Sequence, residues 1–101
     1  MKLLTKAVEK SLPPLYGTED VSTEDKVVVQ HYFVPWGAGD WFITEGSHEG
    51  EDFIMFGYGG LPEPEWGYVS LNEMESVKGP FGLKIERDLH WTKKKFSDIK
   101  R

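Results

Sequence analysis

The sequence predicts an α+β domain: a single, mostly antiparallel sheet of about five strands with one or two short helices packed on it. Three observations lead there. Short runs rich in β-branched and aromatic residues recur between turn residues. The connections between them are too short for crossovers, which makes neighbouring strands antiparallel. Two further segments carry helical spacing together with residues that start or stop helices. A length of 101 residues supports one hydrophobic core and no second, so residues 1–101 form one domain.

Leu4, Ala7, Val8 and Leu12 fall at helical spacing and predict a helix over about residues 3–11, stopped by Pro13 and Pro14. "GTEDVSTED", residues 17–25, reads as a polar loop. "KVVVQHYFV", from Lys26 to Val34, predicts a strand inside the sheet because both of its faces are largely apolar. Val27, Val29, His31 and Phe33 share one face; Val28, Gln30, Tyr32 and Val34 share the other. "WGAGD" turns the chain, "WFITE" (41–45) makes a second strand, "GSHEGE" (46–51) a second turn and "DFIMFGY" (52–58) a third strand.

Pro62 and Pro64 hold the following loop out of the ladder, and "WGYVS" (66–70) is a fourth strand. Ser70 then starts a helix as its N-cap. Ser70 and Glu73 form an S-x-x-E capping box, and Val69 and Met74 occupy the two positions of a hydrophobic staple. Gly79 is expected to end that helix in the left-handed conformation, with Pro80 preventing its continuation. "LKIERDLHW" (83–91) alternates as a fifth strand, and the tail "TKKKFSDIKR" ends in a helical turn around Phe96 to Ile99.

Four Trp, four Tyr and six Phe must supply much of the buried area. The chain has no cysteine, which excludes disulfides, thiolate zinc sites and cysteine nucleophiles, and makes the cytoplasm the expected compartment. "MKLLTKAVEK" opens like a secretory signal, but its apolar run ends at Leu4. No stretch approaches the roughly 18 apolar residues of a membrane span. Net charge is −5 and unevenly placed: residues 11–76 hold 13 acids and one base, Lys26, whereas residues 77–101 hold eight bases and three acids. An acidic body repels phosphate and attracts basic surfaces.

The order of segments resembles a known family. "LLTKAVEKSLPPLYGTED", "DKVVVQHYFVPW", "WFITEG", "DFIMFGY" and above all "EPEWGYVSLNEMESVKGPFGLKIERDL" are similar to small bacterial proteins catalogued only as a domain of unknown function. Members are met on plasmids, phages and other mobile elements, sometimes near antirestriction and DNA-maintenance genes. The resemblance covers nearly the whole chain and implies a compact single-domain protein carried by mobile DNA. It assigns no catalytic residue.

Several constellations could carry chemistry. Glu86, Asp88 and His90 lie at strand period and are expected on one face, where two carboxylates and an imidazole could bind a divalent metal or share acid and base roles. A charged solvent face gives the same pattern, and ligands about 7 Å apart along a strand diverge more than a metal prefers. "TEGSHEGED" (44–52) gathers Glu45, His48, Glu49, Glu51 and Asp52 on one expected hairpin loop but misses the calcium-loop spacing. The glycines of "FGYGGLPEPEWG" lack any phosphate-loop signature, and Ser70 lacks a nucleophile elbow. The aromatic residues Trp36, Trp41, Tyr58, Trp66 and Tyr68 could stack bases, yet their segment is acidic, which disfavours direct nucleic-acid binding.

The reading that follows is a non-catalytic acidic module that docks on a basic protein surface, such as a host defence or DNA-processing protein, in the manner of an anti-defence inhibitor that imitates nucleic-acid charge. Its partner-binding residues are expected to be Glu45, Glu49, Glu51, Asp52, Glu63 and Glu65, with Trp66 as apolar anchor. No cofactor and no metal is expected. The alternatives are a small metal-dependent enzyme using Glu86, Asp88 and His90, and a weak nucleic-acid binder.

Overall fold

The computed structural model describes residues 1–60 and 63–99. Pro62, half of the expected loop-stiffening pair, and Lys100 and Arg101 of the basic tail lie outside the described residues. Five strands form one antiparallel sheet: β2 (Gln30–Phe33), β3 (Asp40–Glu49), β4 (Asp52–Gly59), β5 (Glu65–Ser70) and β6 (Glu86–Arg87), in the spatial order β5-β4-β3-β2-β6. Two short helices, α1 (Lys6–Ser11) and α2 (Leu71–Ser76), accompany it. The fold is α+β, as the strand and helix signals require.

Each helix forms for a local reason. Thr5 caps α1 by accepting a hydrogen bond from Val8 N at 3.2 Å, and the helix stops at Leu12 ahead of the two prolines. It starts later than expected, leaving Leu3 and Leu4 in a bend ahead of it, and Ala7 faces solvent. Ser70 caps α2 by accepting from Glu73 N at 3.1 Å, and Val69 and Met74 both join the core as the staple requires. The reciprocal half of the capping box is not made among the described residues. Asp52 acts there instead, accepting from Asn72 N at 3.0 Å and from the Ser70 hydroxyl at 2.5 Å.

Four expectations are corrected. The run from Lys26 to Val34 is two strands, because Val29 leaves the ladder: β1 (Val27–Val28) pairs with β7 (Lys94–Lys95) as a separate two-stranded ribbon. The turn expected over residues 46–51 shrinks to Gly50 and Glu51, and β3 runs on to Glu49. Gly46 belongs to that strand because a β-carbon there would stand 2.5 Å from the Phe53 ring, and its N–H donates to Pro13 O at 2.9 Å. Gly79 is extended (φ −97°, ψ −175°), as a residue before proline prefers; Phe81 (φ 57°) and Gly82 (φ 75°) are the left-handed pair, and α2 ends at Ser76. The fifth strand covers only Glu86–Arg87, since the chain turns at Leu89 and His90.

The core lies between one sheet face and the helices, with Tyr32, Ile43, Phe53, Met55 and Ile85 packed against Leu3, Val8, Leu12 and Met74. The opposite face carries His31, Phe33, Phe42, Phe56 and Trp66, over which the C-terminal segment lays Trp91 and Phe96. Of the rings expected to stack bases, Tyr58, Trp66 and Tyr68 are engaged there with neighbouring rings, and Trp36 and Trp41 pack against the core. No helix among the described residues is long and apolar enough to cross a membrane.

Candidate functional site

Glycines recur at period two in the strands, at 57 and 59 in β4, and again at 67 in β5 opposite Gly57. Period two puts them on one face, the core side, where they remove the side chains that would otherwise cover the backbone. Gly57 and Gly59 are obligatory: a β-carbon would collide with the carbonyl oxygens of Phe42 and Asp40 respectively. Nothing stands within 4 Å of the position a Gly67 β-carbon would take. The result is an open groove of about 370 Å³ between this floor and α2, with Trp41, Val69, Met74 and Val77 supplying apolar walls.

Its charge is one-sided. Glu63 enters from the loop before β5, Glu65 from the start of β5 and Glu73 from the first turn of α2, and among the described residues no Lys or Arg lines the space. None of these three carboxylates has an ion-pair partner among the described residues. The groove therefore has apolar walls over a glycine floor and an anionic rim.

The expected partner-binding residues separate into three groups. Glu63 and Glu65 belong to the groove. Glu49 and Glu51 are exposed at the β3–β4 hairpin tip, at the other end of β4, about 25 Å away along eight residues of strand. Glu45 and Asp52 are structural. Glu45 is 4% exposed; it accepts from Tyr16 N at 2.8 Å, Thr18 N at 3.2 Å and the Thr18 hydroxyl, and pairs with buried Lys26 at 3.5 Å. Burial pushes its carboxyl pKa up, but those bonds outweigh it and hold it below the usual range. Asp52 is likewise held low, by the Ser70 hydroxyl first and the Asn72 amide next. Trp66 is half-buried on the other face of β5, against Phe56 and Phe96.

Glu86, Asp88 and His90 do not share a face, because the strand ends at Arg87. Asp88 turns inward to His31 Nδ1 at 2.9 Å, while Asp40 meets His31 Nε2 at 2.6 Å. The ring is stacked on Phe42 with centroids 4.8 Å apart. Both ring nitrogens are thus engaged by carboxylates, and the trio ties β2, β3 and the end of β6 together. Burial raises the Asp88 pKa, and the bonds from His31 and His90 N overcome this and keep it low. Among the described residues no three His, Asp or Glu side chains are grouped to hold a metal.

Sequence reasoning missed two parts of the site. Glu73 looked like a capping residue, and its carboxylate lines the groove instead. The second part is the floor, and the period-two glycines carry the signal that could have found it, since glycine inside a strand marks an uncovered backbone.

A family model described as "Protein of unknown function (DUF2958)" matches residues 3–98. No curated protein and no solved structure matches the chain.

Proposed function

The chain belongs to this family, which brings no mechanism with it, and from its surface we propose that it is a non-catalytic binding module that docks on a basic surface of a partner protein. The observation that carries the reading is the convergence of Glu63, Glu65 and Glu73 on a glycine-floored groove with apolar walls. A Lys or Arg side chain has the matching order, an aliphatic stem and a charged head. Carriage by mobile elements, and a partner among host defence or DNA-processing proteins whose nucleic-acid surface is occupied by charge imitation, belong to the same proposal.

The test is capture of a basic partner by the native chain and by a charge-reversed variant, E63K/E65K/E73K. Capture should be lost in that variant, should weaken as salt rises, and should persist in E49K/E51K at the hairpin tip. Full capture by the groove variant would remove the reading.

A further inference from the structure

We propose that the docked element is an extended basic segment that adds as a sixth strand to the open edge of β5, with alternate side chains entering the glycine-floored groove. This rests on the docking reading above and specifies its geometry.

Hydrogen-bond phase shows what the edge offers. Ile43 O accepts from Val29 N at 2.8 Å, so Ile43 directs its backbone groups to the β2 side and Phe42 directs its own to β4. Tyr58 stands opposite Phe42. Gly60 N donates to Asp40 O at 3.0 Å, in the same phase. Tyr58 therefore spends its backbone groups on β3, while Gly57 and Gly59 direct theirs to Gly67 and Glu65 of β5. Alternation then leaves the N–H and C=O of Trp66 and Tyr68 pointing away from the sheet. Among the described residues, no backbone–backbone bond from a turn or loop reaches Trp66 or Tyr68.

Sheet edges are ordinarily guarded by lysine, proline, a bulge or brevity. β5 has six residues, with no Lys or Pro and no register shift against β4. The opposite edge is guarded: β6 has two residues, and Arg87 N lies against Met1 Sδ at 3.2 Å.

Side-chain direction selects the occupant. Glu65, Gly67 and Val69 face the groove, while the rings of Trp66 and Tyr68 lie on the other face against Phe56, Tyr68 being 55% exposed. An added strand places alternate residues beside the acids, where Lys or Arg fits, and the intervening ones beside the two rings, where apolar residues fit. A second copy of β5 brings carboxylates and no cation to that groove, so the occupant is a basic segment and not a second β5.

The probe is an acetylated, amidated peptide alternating Lys and Val, compared with forms N-methylated on every Lys or on every Val. In an edge strand one set of N–H groups faces β5 and the other faces solvent. One methylated form should lose about tenfold or more in affinity and the other stay within about twofold. Equal binding, or equal loss, in both forms would overturn strand addition while leaving acidic docking standing. Absence of binding by any cationic peptide, including a blocked Lys-then-Val arrangement, would remove both readings. A dimer seen by sedimentation without peptide would give the edge to a second copy and overturn the proposal.

Discussion

Replacing Gly67 with Val separates stability from binding. The glycine sits within β5, where a missing side chain costs about 0.5–1 kcal/mol relative to Ala, and β-branched residues gain further on a strand scale spanning about 1 kcal/mol. No atom lies within 4 Å of the new β-carbon, so no overlap opposes that gain. The variant should be more stable by about 1 kcal/mol, which for a domain of this size raises Tm by roughly 4–8 °C. Its isopropyl group would meanwhile occupy the floor between Glu65 and Val69. Thermal unfolding followed by circular dichroism reads the first effect, and titration with the Lys–Val peptide reads the second. Binding should fall about tenfold or more while Tm rises. A fall in Tm would refute the open floor, and a rise with unchanged binding would refute the groove as the docking site.

The other expectations concern the supports. Ser70→Ala removes the acceptor for Glu73 N and the donor to Asp52, and should cost about 1–2 kcal/mol in urea unfolding; an unchanged midpoint would show that the cap contributes nothing. Lys26→Met strands the buried Glu45 carboxylate and should cost about 3 kcal/mol, and adding Glu45→Gln should recover part of that loss. Asp88 has a folded pKa below its ordinary value, so its ionised form contributes stability that is present above about pH 4 and lost as pH falls through the folded value. The stability gap between the native chain and Asp88→Asn should therefore be widest near neutral pH and close in acid, and a gap independent of pH would contradict the His31 bridge.

Elements whose signals are local were legible in the sequence. The Ser70 cap, the Val69–Met74 staple and the short connections needed only neighbours in the chain, and α2 and the β2–β5 meander follow from them. Features set by distant contacts were hidden. β7 exists because Lys94 and Lys95 meet Val27 and Val28, a pairing that no periodicity announces, and β3 outlasts its expected turn because Gly46 fits under the Phe53 ring. The candidate site was half visible. Glu63 and Glu65 stood out by charge, whereas joining them to Glu73 requires α2 to fold back over β4 and β5. Glu45 misled because a carboxylate in an acidic run looks exposed, and only the fold reveals Lys26 and the Tyr16–Thr18 amides around it.

Amide chemical-shift mapping of the isotope-labelled chain during titration with the Lys–Val peptide tests most directly whether the acid-rimmed groove and its strand edge form the docking surface. Saturable shifts concentrated in Glu65–Ser70, with Gly57 and Glu73 following, are expected to fade as salt rises. Shifts confined to the hairpin tip around Glu49 and Glu51, or none at any residue, would contradict it.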